Sequence, residues 1–371
     1  MHVTILAIHP FYVVPSGMDA HMRWLADQLV ARGHQVSFHI IAHKQPAIET
    51  GLMRLQALRD KDKRVHGHPM GWTMVPPPEH FPPLLFKGVV KRALEALEAD
   101  FVIVPSGDAI LGQLCRQAGV RTMVIGCHDA WIHALTDPIF KENLEGLEVA
   151  AVSEAVARVA EQELGFAPWL LINGVDEERV VGRLRTYEKR MELPIGMVNC
   201  ARRKGGGVFA DVAASFPTLS FATTGSTASE IPVPMPTNVT DVGHKVAMRA
   251  FYGSLQLLVV PSLWFEAWGR VVTEAQLNGI PVIGTDRGGL PEVLSEPAIP
   301  VRQWALEPWK DPVITAGVAR RFADAIARVR EPDAYRDAVV RGFEKAQQTQ
   351  ARAIASVDQL EVVLRGDAPE A

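Results

Sequence analysis

The sequence predicts an α/β protein of two successive domains, each with a parallel sheet covered by helices on both faces. Three observations carry this. Apolar runs of strand length alternate with stretches of helical periodicity along the chain. The alternation breaks once, at the turn signal Asn173-Gly174-Val175-Asp176 and the polar segment Glu177–Glu192. The length, 371 residues, suits two domains of ordinary size.

In chain order, Val3–Ile8 reads as a buried strand. Asp19–Ala31 has helical apolar spacing and stops at Gly33, a residue suited to a helix C-terminus. Gln35–Ile41, Asp100–Val104 and Arg121–Ile125 read as further strands, with a helix between the last two running to Ala118. The charge-dense stretch Arg54–Arg64 reads as a solvated helix. Gly71–Pro83, with Pro76-Pro77-Pro78 and Pro82-Pro83, reads as a loop. A second series follows: strands at Ile195–Asn199, Leu219–Thr223, Leu257–Val260 and Val282–Thr285, with helices at Gly207–Ser215 and Arg270–Asn278. The tail Pro332–Arg365 is helical and charged. The expected division is residues 1–176, a linker 177–192, residues 193–340, and a helical tail 341–371 crossing back to the first domain. Ligands of such sheets bind beyond the carboxyl ends of the strands, which directs attention to the loops there.

Composition narrows the class. Hydrophobic residues are 48% and charged residues 22%, the profile of an ordinary globular chain. A net charge of −4 gives no broad basic field, so nucleic acid is not an expected partner. Cys115, Cys127 and Cys200 are too scattered for structural zinc. The first strand lacks the basic start of a secretory signal, and no apolar run reaches the ~18 residues that span a bilayer. The expectation is a cytoplasmic enzyme. A peripheral contact with the inner membrane face is open through Lys87, Lys91 and Arg92, which share a predicted amphipathic helix with Val89, Val90 and Leu94.

The segment Pro261-Ser262-Leu263-Trp264-Phe265-Glu266-Ala267-Trp268-Gly269-Arg270-Val271-Val272-Thr273-Glu274-Ala275 carries most of the chemistry. A strand ends at Pro261, a loop holds Glu266 and Gly269, and a helix opens near Arg270. A helix N-terminus offers free N–H groups and partial positive charge, suited to a diphosphate. Gly269 lets the backbone come close to a ligand. Glu266 can accept hydrogen bonds from sugar hydroxyls, and Glu274 can take the two hydroxyls of a ribose.

This pattern resembles the retaining GT-B glycosyltransferases of family four, also called glycosyl transferases group 1, whose mark is two glutamates eight residues apart in this context. The resemblance continues in Gly279-Ile280-Pro281-Val282-Ile283, Gly288-Gly289-Leu290-Pro291-Glu292, Val152-Ser153, Asn173-Gly174-Val175-Asp176 and Gly33-His34-x-Val36. It implies two Rossmann-like domains facing a central cleft, a nucleotide-sugar donor (UDP- or GDP-linked), retention at the anomeric carbon, and no cofactor or metal. The acceptor is open among glycan, lipid-linked and small molecules.

Residue by residue, the resemblance gives Glu266 to the donor sugar, Glu274 to the ribose and Lys204 to the diphosphate. His128 resembles the family's active-site histidine, with Asp129 either orienting it or capping a helix. The family's arginine before the lysine is replaced here by Asn199, and Arg202 or Arg203 is left to supply the charge. Arg270 opens the helix after Gly269, and Val242-Gly243 match the region whose backbone reads the base. Gly17 stands where the family has a glycine pair. Asp19 and His21 are acceptor-side candidates, Asp19 being equally readable as a helix N-cap. Asp60-Lys61-Asp62 has the letters of a metal site but lies in a charge run. Other readings are a nucleotide-sugar epimerase, a sugar phosphorylase, or a non-enzymatic sugar-binding protein. A Rossmann dehydrogenase is disfavoured, since no Gly-x-Gly-x-x-Gly follows a strand.

Overall fold

The computed structural model describes residues 1–7, 17–43, 64–65, 68–75, 83–127, 129–225, 235–243, 247–301 and 310–366. The chain divides into two compact units, Met1–Gly174 with Ala353–Ala371, and Val175–Arg352.

The first unit holds an eight-stranded sheet among the described residues, ordered β3-β4-β2-β1-β5-β6-β7-β8. Its strands are β1 His2–Ala7, β2 Gln35–His43, β3 Arg64–Val65, β4 His68–Val75, β5 Phe101–Val104, β6 Arg121–Gly126, β7 Glu148–Ala151 and β8 Trp169–Leu170. All pairings are parallel except that of β3 with β4. Consecutive residues of β1 and β5 are buried on both faces, which is why they read as unbroken apolar runs. The covering helices are α1 Gly17–Ala31, α2 Pro83–Leu97, α3 Ala109–Gln117, α4 Asp129–Ala134, α5 Pro138–Glu142 and α6 Glu154–Leu164. Gly71–Val75 is strand, not loop: β4 pairs with β2, and Gly71 leaves space for the His39 ring, whose Nδ1 a Cβ at Gly71 would approach to 2.8 Å. Asp19 lies inside the first turn of α1 and pairs with Arg23, so it is not that helix's cap. The expected helix at Arg54–Arg64 falls outside the described residues except for Arg64, which is strand.

The second unit holds a five-stranded parallel sheet, ordered β11-β10-β9-β12-β13. Its strands are β9 Ile195–Val198, β10 Phe221–Thr224, β11 Val239–Asp241, β12 Leu257–Val260 and β13 Val282–Gly284. Around it lie α7 Glu177–Val180, α8 Tyr187–Met191, α9 Gly206–Ser215, α10 Met248–Gly253, α11 Arg270–Leu277, α12 Leu290–Val293, α13 Pro312–Val329 and α14 Pro332–Arg365. The core packs α9 and α13 on the sheet through Phe209, Phe221 and Phe322, all buried. Residues 177–192, read from the sequence as a linker, pack into this unit. Arg190 is 2% exposed, and its guanidinium donates to the carbonyls of Tyr252, Leu255 and Asn278. Polar residues looked like a connector; folded, they cap the ends of α10 and α11.

The long α14 belongs to the second unit up to Arg352 and to the first from Ala353. Its last turns are tied into the first unit. Arg32 pairs with Asp358 at 2.6 Å, His34 with Glu361 at 2.8 Å, and Arg121 donates to the carbonyls of Val363 and Leu364. No described helix is long and apolar enough to cross a membrane.

Candidate active site

The candidate residues lie in the second unit, on and beyond the loops after β9 and β12. After β9, Asn199 adopts a left-handed φ of 63°, and its Oδ1 accepts from the Ala201 N–H at 3.0 Å. Asn199 therefore shapes the turn. A single 3₁₀ turn, Arg202–Lys204, follows and closes at Gly205 with φ 89°. A Cβ at Gly205 would lie 2.0 Å from the Pro261 carbonyl oxygen, so only glycine lets this turn seat against the loop after β12. The seating is completed by the Leu263 and Trp264 N–H groups, which both donate to the Arg203 carbonyl.

That second loop carries Glu266, which is 8% exposed. Lys204 Nζ and Ser262 Oγ each donate to its Oε1 at 2.5 Å. Burial weighs against the charge of Glu266. The Lys204 ammonium and the Ser262 hydroxyl outweigh it and hold the carboxyl below the ordinary glutamate range. The Trp264 indole N–H favours the same charged form, though short of hydrogen-bond geometry. The loop's backbone is strapped down from the far side. Gly289 N–H donates to the Glu266 carbonyl at 2.7 Å, and a Cβ at Gly288 would come within 2.1 Å of that oxygen.

Gly269, at φ 103°, precedes α11, whose first turn has no side-chain cap. Glu274 follows one turn later. Its Oε2 accepts the Tyr252 hydroxyl at 2.7 Å and its Oε1 the Arg270 guanidinium at 3.2 Å. Tyr252 is fully buried, and burial together with Glu274 drives its own ionisation well above the usual range. Beside β10, Val242 is 41% exposed. Its N–H is committed to the Thr223 carbonyl, and that of Gly243 to Asp241 Oδ1.

The structure thus brings Lys204 on the turn after β9, Glu266 and Gly269 on the loop after β12, and Arg270 and Glu274 on α11 together in one unit. It does not place the acceptor-side candidates on an open surface. Asp19 is 3% exposed and paired with Arg23; His21 is 1% exposed and stacks on Trp24. Gly17 opens α1. His128 lies outside the described residues, and Asp129 is the first residue of α4. Sequence reasoning gave Trp264 and Tyr252 no role. Trp264 stood inside the quoted motif as an unassigned aromatic, and Tyr252 carried no signal, being 22 residues from the carboxylate it meets. Among the described residues, no group of three or more His, Cys, Asp or Glu is placed to hold a metal ion.

Two Rossmann-like parallel-sheet domains, one with a glutamate loop and basic turn beyond its strands, define a GT-B protein. Two family models match the chain in order: Glycosyltransferase Family 4 over residues 15–179 and Glycosyl transferases group 1 over residues 236–326. The chain belongs with these GT-B, family-four-type glycosyltransferases. Solved structures agree on the fold. The glycosyltransferase of Rickettsia africae is 15% identical with a TM-score of 0.69, over 98% of this chain and 99% of that one. HepE of Anabaena, solved with UDP-glucose, is 16% identical with a TM-score of 0.71, over 97% and 99%. The pneumococcal O-GlcNAc transferase GtfA, with UDP and GlcNAc, is 13% identical with a TM-score of 0.58, over 76% and 60%. No curated protein matches the chain.

Proposed function

We propose that this glycosyltransferase moves a hexose from a UDP-sugar, with retention and without a metal, onto a glycan, lipid-linked or small-molecule acceptor. The observation that carries the reading is the Lys204–Glu266 pair, one buried carboxylate held ionised beside one ammonium. The ammonium and the open N-terminus of α11 suit a leaving diphosphate, whose charge grows as the glycosidic bond breaks. Glu266 suits the hydroxyls and developing positive charge of the sugar, and Glu274 the ribose. His128 is assigned to the donor sugar, and Val242-Gly243 to the base. The Val242 and Gly243 N–H groups are already committed and the Gly243 carbonyl accepts the Thr224 hydroxyl at 2.5 Å, so the exposed Val242 side chain is the contact offered to the base. UDP is favoured over GDP because HepE and GtfA are described in complex with UDP or UDP-glucose.

Retention follows if the acceptor hydroxyl attacks from the face the diphosphate leaves, with the nucleotide's phosphate oxygen taking the proton and the protein supplying position and charge. Acceptor contacts are assigned to the first unit, with the glycine at Gly17. Lys91, which pairs with Glu95 at 3.9 Å, and Arg92 are both exposed, and this face suits an anionic membrane surface if the acceptor is lipid-linked.

The test is a panel of UDP-, GDP- and ADP-sugars assayed with glycan and lipid acceptors, with NMR of the product anomer and a parallel assay in EDTA. Acceptor-dependent UDP release, a retained anomer and full activity in EDTA are expected. Inversion would remove the mechanism, and loss in EDTA restored by manganese would remove metal independence. Conversion of the donor to its epimer with no net nucleotide release would favour an epimerase, and sugar-1-phosphate formed from a glycan and phosphate without nucleotide a phosphorylase.

A further inference from the structure

The basic turn and the glutamate loop meet through one aromatic ring. The Arg203 guanidinium carbon lies 4.1 Å from the centre of the Trp264 ring, and Lys204 Nζ lies 4.4 Å from it. Two cations next to each other in sequence repel, and holding both on one ring offsets part of that cost. The backbone enforces the arrangement, since Trp264 N–H and Leu263 N–H both donate to the Arg203 carbonyl. Gly205 allows the turn to press on Pro261.

The two cations are occupied differently. Lys204 has the Glu266 carboxylate as its anion. Arg203 has no carboxylate partner among the described residues; its guanidinium stands over the Trp264 ring. A guanidinium held over a ring by its central carbon still has N–H groups to offer an oxyanion, which they can meet in pairs. Asn199, which stands where the family has an arginine, is committed to the Ala201 N–H. Arg202 is exposed, and no ring contact involves it among the described residues.

We infer that Trp264 is a positioning residue of the donor site: its indole face holds Arg203 and Lys204 together, and Arg203 so held contacts the diphosphate in place of the arginine missing at Asn199. This rests on the nucleotide-sugar reading above. Lys204 turns one N–H to Glu266 and keeps two for phosphate oxygens. The ring fixes where both cations stand before the donor arrives, so less side-chain freedom is lost on binding.

The experiment is calorimetric titration of the full chain with UDP and with UMP, which differ by one phosphate. Wild type should bind UDP more tightly than UMP. Trp264→Leu and Arg203→Ala should each weaken UDP about tenfold, the loss of one charge-assisted contact, and leave UMP within about twofold. Trp264→Phe should keep most of the UDP affinity, Arg202→Ala all of it, and the Trp264→Leu/Arg203→Ala double variant should be no weaker than its weaker parent. Equal losses for UDP and UMP in Trp264→Leu would make the indole a fold support and overturn the inference. So would multiplied losses in the double variant. If Trp264→Leu does not fold, loss of UDP affinity in Arg202→Ala with none in Arg203→Ala overturns it independently. A wild type that binds UDP no better than UMP would instead sink the donor reading itself.

Discussion

The hydroxyl of Tyr252, at the end of α10, donates to Glu274 on α11 at 2.7 Å, in a fully buried setting. Arg190, from the segment that looks like a linker, holds the Tyr252 carbonyl in turn. A carboxylate assigned to a ribose is thus held by a buried hydroxyl whose own residue is anchored through its backbone carbonyl. Tyr252→Phe removes one donor and leaves Glu274 Oε2 buried without it, a loss of about 1–3 kcal/mol. The expected outcome is a lower urea midpoint with an unchanged slope, together with a raised donor KM. An unchanged midpoint would mean that the hydroxyl does not hold Glu274.

The two glutamates and the lysine should fail differently. Glu266 faces the bond that breaks, so Glu266→Gln should lower kcat by about 10²–10³-fold. Glu274 holds a ribose that does not change, so Glu274→Gln should chiefly raise donor KM. Lys204→Ala should harm both, and it also leaves Glu266 buried without its cation. Steady-state kinetics on variants shown to be folded checks this. Near wild-type kinetics in both glutamine variants would put the donor site elsewhere.

Two glycines of the second unit should respond oppositely to one methyl group. At Gly288, φ is 58° and a Cβ would sit 2.1 Å from the Glu266 carbonyl oxygen, so Gly288→Ala should displace the glutamate loop, destabilise the fold by more than about 1 kcal/mol and cut kcat. At Gly207, inside α9, a Cβ meets nothing within 4 Å, and Gly207→Ala should stabilise by about 0.5–1 kcal/mol. Thermal melts of both variants decide. A neutral Gly288→Ala would show that the loop tolerates the shift.

The pH dependence of stability has two separable parts. His39 is buried against Thr73, and burial lowers its pKa from 6.5 to about 4. Between those values the unfolded chain takes up a proton that the fold refuses. Stability therefore falls as pH drops through that window, by roughly 3 kcal/mol at most. Glu266 has a lowered folded pKa, so its contribution is complete above the ordinary glutamate range and is lost as pH falls through the folded value. Urea titrations from pH 7 to pH 4 should show a slope that His39→Gln flattens. An identical slope in that variant would rule His39 out as its source.

The thiols should also separate. Burial raises Cys115 to about 12 and Cys200 to about 11, and both side chains are buried, while Cys127 is half-buried. A thiol reagent at pH 8 should label Cys127 in the native protein and leave the other two until the chain is denatured. Native labelling of Cys200 would show that the turn before Arg202 opens readily.

The sequence alone determined the fold class and the glutamate loop, because both depend on local order. Continuous apolar runs such as Phe101–Val104 demand a sheet covered on both faces, and a strand, a glycine and a helix start in succession place Glu266 and Glu274 without reference to the rest of the chain. Tertiary structure decided what each charged residue does. Asn199 became a turn former, Arg190 a buried cap, and Asp19 and His21 buried groups, since each outcome depends on which distant carbonyl, carboxylate or ring the fold brings alongside. The same holds for Trp264 and Arg203, 61 positions apart by number, whose contact exists only because the turn at Gly205 packs on Pro261. Periodicity reports which face of an element is buried; it carries no information about which polar groups will meet there.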